Sequence, residues 1–152
     1  MASAAAAFTA TLYDNLVTRL ASSFPTVKVS LAGEAGLALN KEAVVLIRPD
    51  AQITGRQEWA AMGKRKDDSF TLPPRIYTYK AGTQNSTNFK VALDRCADLL
   101  DEVIAEVRDS APNLQEGTWR ASVTDIAYAA FLVEGGWAAQ CDFNISADVR
   151  LT

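Results

Sequence analysis

The 152-residue chain contains no histidine. Ser-His-Asp and Cys-His nucleophiles, histidine metal triads and imidazole acid–base chemistry are thereby excluded within it, since each needs a group that titrates near neutrality. Cysteine is nearly as scarce. Cys96 and Cys141 form no CxxC pair, so neither a disulfide framework nor a cysteine zinc site is legible. An excess of positive charge is missing too: 15 basic residues against 18 acidic ones give a net charge of -3, leaving no global field to draw the protein onto nucleic acid or anionic lipid. No apolar run approaches the ~20 residues that span a bilayer. The opening MASAAAAF lacks the basic leader and apolar core of a signal peptide. A soluble intracellular protein is expected, with no catalytic, cofactor-binding or metal-ligating residues.

What remains is the composition of a globular domain, 49% hydrophobic and 22% charged, which excludes intrinsic disorder. A chain of this length buries roughly 70% of its unfolded surface. One domain spanning 1–152, with a core that needs no staples, is the expectation.

Phe8, Leu12, Leu16 and Leu20 recur every four residues with Val17 beside them, which predicts an amphipathic helix over 9–22. Thr11 followed by Asp14 resembles a weak capping box at its start, with extension upstream through Ala4 to Ala7 as the alternative, and Ser22, Ser23 and Pro25 end it. Residues 27–31 (VKVSL) read as a short strand, and the stretch around Gly33 and Gly36 as a turn. Ala43 to Ile47 (AVVLI) is an unbroken apolar run, the mark of a strand covered on both faces and central in its sheet. Residues 53–62 then predict a strand, 64–68 (KRKDD) a charged turn, and Ser69 to Lys80 the answering strand of a long hairpin. Pro73 and Pro74 remove two consecutive ladder donors, which confines that strand to an edge or forces a bulge.

Asn88 to Ser110 carries the clearest helical period. Phe89, Leu93, Cys96, Leu100, Val103 and Val107 share one face, while Asp94, Asp98, Glu102 and Glu106 point away from it. Trp119 to Val133 reads as an alanine-rich strand, and Glu134-Gly135-Gly136 as a hairpin turn. From Trp137 to Leu151 apolar and polar residues alternate almost without fault. As one strand at ~3.3 Å per residue this would run about 50 Å, which implies a bulge or a strand that reaches past its own core into a neighbour. The fold class that follows is α+β: a mainly antiparallel mixed sheet with two helices packed on one face and a long β-hairpin.

Each singled-out feature has a plain reading beside a functional one. Gly33-Glu-Ala-Gly36 lacks the lysine of a P-loop and the third glycine of a dinucleotide fingerprint, so it reads as a turn. Asn85-Ser-Thr and Asn144-Ile-Ser match the glycosylation triplet, but no secretion signal accompanies them. Asp94, Asp98, Glu102 and Glu106 read as a solvated face, or as a surface for a divalent metal or a basic partner. Lys64, Arg65, Lys66, Asp67 and Asp68 read as a solvated hairpin tip, or as an electrostatic contact with another subunit. Trp59, Trp119 and Trp137 suit core and sheet packing, or an interface. Cys96 and Cys141 each sit on an apolar face as buried free thiols, with a disulfide between them left open.

The stretch QEWAAMGKRKDDSFTLP from Gln57 to Pro73, the helix ending in LLDEVIAEVR and the closing GGWAAQCDFNISADVRL together resemble the tail terminator (minor tail) proteins of long-tailed bacteriophages, especially those infecting actinobacteria. In that family a glycine and a basic-acidic turn precede a strand beginning near a Phe-Thr pair, and a long helix and a final alternating strand follow. Gly63, Arg65, Asp67, Asp68, Phe70 and Thr71 match this pattern. The likeness runs from about residue 9 to 151 and rests on element order and loose motifs. Pro73-Pro74 and residues 24–42 have no counterpart in it.

The resemblance implies an α+β domain that assembles as a homo-oligomeric ring, hexameric in the family. The ring caps the finished tail tube, stops its polymerisation and presents the surface that joins the head. The implied partners are further copies of the chain, the major tail tube protein and the head-tail connector protein. DNA would pass through the ring without specific binding, no membrane is involved, and the protein would sit at the tail-neck junction of the virion after assembly in the host cytoplasm. Such a protein is not an enzyme. The nearest alternative is another neck protein, a head-to-tail connector or tail completion protein. From a different class comes a small-ligand or metal-binding α+β protein using Asp94, Asp98, Glu102 and Glu106. Reversing the charges of Lys64, Arg65 and Lys66 together is expected to impair assembly and leave the monomer folded, as read by native mass spectrometry beside circular dichroism.

Overall fold

Helix α1 (Ala4–Ser23) is followed by strands β1 (Val27–Ala32), β2 (Glu42–Ile47), β3 (Thr54–Trp59), β4 (Arg65–Leu72) and β5 (Arg75–Ala81). Helix α2 (Ser86–Ser110) and strands β6 (Thr118–Val133) and β7 (Gly136–Arg150) complete the chain. The computed structural model describes residues 4–32, 42–49, 51–59, 65–110 and 118–150. Its seven strands form one mixed sheet in which β1 and β2 run parallel and every other pair antiparallel. The α+β expectation is met.

Both helices lie on one face because both carry a single apolar stripe. Phe8, Leu12, Leu16 and Leu20 of α1 are fully buried, as are Cys96, Leu99 and Val103 of α2. The Phe8 ring meets Phe70 of β4 edge to face at 5.3 Å, and the Thr78 hydroxyl of β5 donates to the Ala92 carbonyl of α2 at 2.8 Å. Beneath the helices β7 contributes Ala139, Cys141, Phe143, Ile145 and Ala147, all buried, the alternate positions that its period predicts. Strand β2 is interior, between β1 and β5. Val44 and Leu46 join the core under the helices, and Ala43 and Val45 are buried on the opposite face.

Strand β7 is the spine. One of its edges pairs with β6, from Thr118 opposite Arg150 to Val133 opposite Gly136. The other pairs with β5, from Ala81 opposite Gly136 to Arg75 opposite Asp142, and then with β4, from Leu72 opposite Ile145 to Asp67 opposite Arg150. Both edges of β7 are thus used within the subunit, so the reach into a neighbour expected of this strand does not occur. The register of β4 on β7 continues unchanged into β5, so the two are one strand interrupted at Pro73-Pro74. The prolines were expected at an edge or a bulge; they are buried between paired strands, without a register shift. Phe143 N–H donates to the Pro74 carbonyl at 3.3 Å, and Pro74 has no N–H to return. Arg48 Nη1 donates to the Phe143 carbonyl at 3.1 Å instead, and Arg48 N–H donates to the Pro73 carbonyl at 2.8 Å. A borrowed guanidinium fills the place of the missing ladder donor.

The irregularity falls on β6, not β7. Pairing shifts between Thr124 and Ala127, where Asp125 takes a φ of 57°, a left-handed conformation that Asp tolerates better than most side chains. Its carboxylate accepts from Asn144 Nδ2 at 3.0 Å and from the Thr124 hydroxyl at 3.3 Å, which anchors the bulge. At the β6–β7 turn Gly135 has a φ of 84°, and a Cβ on Gly136 would collide with the Lys80 carbonyl. Both glycines are required there.

The charged turn expected at 64–68 is corrected. Lys64 lies outside the described residues, and Arg65 to Asp68 belong to β4. The backbone of Asp67 is paired with Glu58 and Arg150, that of Asp68 with Gln57 and Val149. Strands on both sides offer these residues ladder partners, which outweighs their hydrophilic composition. Trp137 is partly buried, edge to face with Phe89 at 5.1 Å. The side chains of Trp59 and Trp119 lie outside the described residues. Arg48→Met removes the donor to Phe143 and keeps the aliphatic stem; it is expected to lower stability by about 1–3 kcal/mol, with an unchanged m-value in urea denaturation and partial recovery in Arg48→Lys.

Candidate subunit-contact surface

The acidic stripe of α2 does not form one site. Asp94 and Asp98 are exposed, as a solvated face requires. Glu102 and Glu106 instead turn toward α1, where Arg19 Nε meets Glu102 Oε2 at 2.7 Å and Arg19 Nη1 meets Glu106 Oε2 at 3.0 Å, with Asp109 at 3.5 Å. A spacing of four drifts about 40° per step around a helix of 3.6 residues per turn. The stripe therefore migrates toward the helix–helix seam, and Glu106 ends only 8% exposed. The solvated-face expectation is corrected for these two glutamates. Hydrogen bonds to Glu102 and then Glu106 raise the Arg19 pKa above its ordinary value, so the guanidinium stays charged. Arg19 is the only basic residue in α1 and directly precedes Leu20 of the buried stripe; that position was the available signal for the pair.

Elsewhere the chemistry is sparse. Among the described residues no three or more Cys, Asp or Glu side chains are gathered to hold a metal ion. A shallow hollow of about 220 Å³ on β3, β4 and β7 is lined by Thr54, Gly55, Ser69, Phe70, Thr71, Ser146, Ala147 and Asp148. Hydroxyls and the single carboxylate of Asp148 can hydrogen-bond there, and no cationic side chain is among the lining residues. Arg75 pairs with Asp142 through two contacts of 2.6 and 3.0 Å on the helix-free face. Arg95 of α2 reaches Glu42 of β2 at 2.6 Å. These bonds fasten elements to one another.

Cys96 and Cys141 are free and buried, facing each other where α2 crosses β7. The Cys96 thiol also approaches the Ile76 carbonyl at 3.9 Å. Its hydrogen bond with Cys141, reinforced by burial, pushes the Cys96 thiol well above its ordinary pKa.

The feature that sequence reasoning missed is an edge. Among the described residues strand β6 pairs only with β7, so none of them pairs with the outer side of its 16 residues. Beyond the Asp125 bulge, residues 126–133 (IAYAAFLV) hold no charge and no proline. Ile126, Tyr128 and Leu132 are 46%, 45% and 55% exposed. Tyr128 stands opposite Cys141 and Leu132 opposite Trp137, so both side chains are on the helix-bearing side. Long neutral edges are normally blunted by lysine, proline or a bulge; here the bulge guards only one end. The lack of charge was legible from the sequence, but the edge position was not. Strand β1, which among the described residues pairs only with β2, has an open edge in the same sense, with Leu31 44% exposed.

No protein-family model matches the chain, and no curated protein matches it. Among the described residues no helix is long and apolar enough to cross a membrane.

The raised Cys96 pKa has a definite sign in stability. Below pH 9 the thiol is protonated in folded and unfolded chains alike; above it the unfolded chain releases the proton and the folded one retains it, so stability falls as pH rises. One such thiol contributes a slope of about 1.4 kcal/mol per pH unit. Urea midpoints at pH 8 and pH 10 are expected to converge in Cys96→Ala relative to the wild type.

Proposed function

We propose that the chain is a structural assembly protein of a long-tailed phage: a tail-terminator-like subunit that forms a ring, caps the tail tube, stops its growth and offers a surface to the head. It acts through shape and contact rather than chemistry. The single observation that carries this reading is the open, uncharged half of β6 with Ile126, Tyr128 and Leu132 exposed. Such an edge is a template for another chain and a liability in a protein that works alone. The element order that underlies the family resemblance supports it further, with the antiparallel pair β3 and β4 ahead of the long helix α2 and the closing alternating strand β7.

In this reading Lys64, together with Arg65, Lys66, Asp67 and Asp68 of β4, and Asp94 and Asp98, exposed on α2, are candidate contacts with the tube, the connector or neighbouring copies. Glu102 and Glu106 serve the subunit's own packing. The subunit is expected to appear as a closed ring in native mass spectrometry, and as a terminal ring by electron microscopy after mixing with purified tail tubes. Tubes that gain no terminal density would overturn the reading. Capture by tailless heads in preference to tubes would reassign the protein to the connector or completion class.

A further inference from the structure

We infer that the subunit contact is a head-to-tail strand pairing, in which the open half of β6 docks against β1 of the next copy. This rests on the ring reading above and adds which two surfaces meet. Three residue rows cross the sheet from edge to edge. Val29 pairs with Val44, which pairs with Ile76, then Cys141, then Tyr128. Lys28 leads through Ala43, Tyr77 and Gln140 to Ala129, and Ser30 through Val45, Arg75 and Asp142 to Ala127. The two open edges, β1 and the neutral half of β6, therefore stand at the same level along the strands, on opposite sides of a five-strand width.

Their directions also agree. β1 is parallel to β2, and three successive antiparallel pairings lead from β2 to β6, so β6 runs opposite to β1. A copy placed alongside in the same orientation presents β1 antiparallel to β6, the more favourable ladder. At equal level Tyr128 falls beside Val29 of the next copy, Ile126 beside Leu31 and Ala130 beside Val27. All six side chains lie on the helix-bearing side, and the exposed Leu31, Ile126 and Tyr128 are the ones that gain cover. The Glu134-Gly135 turn closes on the Val133–Gly136 pair, which in a two-residue hairpin exchanges both hydrogen bonds. Alternation then aims the N–H and C=O groups of Leu132, Ala130 and Tyr128 outward, ready for a new strand.

Charge separates this occupant from the other one, a second β6. Two β6 edges paired about Ala130 would match Tyr128 with Leu132, but would set Glu134 of each copy opposite Ile126, one residue from Asp125 of the other. Strand β1 carries one charge, Lys28, and meets a neutral run flanked by those two acids, so no like charges face each other. A contact between different edges is also the heterologous kind that closes a ring, whereas β6 against β6 stops at two copies.

Two full-length variants test it, Tyr128→Lys on β6 and Leu31→Glu on β1, with Ile126→Lys as an independent second β6 variant. Circular dichroism and urea midpoints serve as fold controls, and native mass spectrometry is run alone and with tail tubes. Each variant alone is expected to lose self-association about 100-fold and run as a monomer. A mixture of Tyr128→Lys and Leu31→Glu is expected to associate one to one, because the intact β6 of the second meets the intact β1 of the first. If Leu31→Glu keeps the wild-type mass, β1 is not the docking edge; if Tyr128→Lys and Ile126→Lys keep it, β6 is not. Either result overturns the edge assignment and leaves the ring reading standing. A wild-type chain that stays monomeric even with tubes overturns both.

Discussion

A strand of 15 residues must find hydrogen-bond partners for both edges over its whole length, and in this protein nearly every other feature answers that demand made by β7. Its length exceeds the usual five or six residues, so no single partner of ordinary size would suffice. β6 matches it on one side at the cost of a bulge at Asp125, and β4 with β5 match it on the other at the cost of a break at Pro73-Pro74. The partners carry the irregularities and the spine stays regular. Because the alternation of β7 places Cys141, Phe143 and Ile145 under the helices, a slip by one residue would expose all three together. That makes the register, and with it the position of every other strand, strongly specified.

The break is the point where this arrangement is most exposed to failure. Two prolines in one interior strand withhold two N–H groups, and an unmatched buried carbonyl costs about as much as several ordinary surface changes combined. Arg48 resolves this from β2's side. It leaves β2 just past Ile47, bonds Pro73 through its own N–H and reaches Phe143 with its side chain. The same residue thus ties β2, the β4–β5 junction and β7 together where the sheet divides. On one side of the division β5, β2 and β1 continue outward; on the other, among the described residues, β4 and β3 do. The division is what sets β1 level with the neutral half of β6.

Periodicity made α1, β2, α2 and β7 legible in the sequence, since each buries a face or faces of its own and its pattern reports that directly. Partnership was not legible in the same way. Pro73-Pro74 looked like an edge because a sequence records the missing N–H and not the arginine, 25 or more positions earlier, that replaces it. Arg65 to Asp68 looked like a turn because charge correlates with loops, whereas β3 pairs with Arg65, and β3 and β7 together with Asp67 and Asp68, regardless of side chain. Glu102 and Glu106 were grouped with Asp94 and Asp98 by a spacing of four, which drifts around the helix until the last of them meets Arg19. The openness of β6 depends on which strand is absent beside it, and no residue of β6 encodes that. Of the surface at issue, only the missing charge over 126–133 could be read in advance.

The modest size of the β6 edge bears on how a ring built from it would behave. A pairing limited by the six residues of β1, covering a few aliphatic and aromatic side chains, falls toward the small end of specific interfaces, where the cost of immobilising a partner takes most of the gain. Two copies meeting through one such contact would part readily. In the proposed ring each copy is held at both edges, and the last contact closes within an already assembled chain of subunits, where effective concentration replaces bulk concentration. Open intermediates are therefore weak and the closed form is not. A platform that holds several copies side by side shifts that balance sharply, so a sheet edge too weak to polymerise unaided in dilute solution is suited to a protein whose assembly should wait for the surface it is meant to cap.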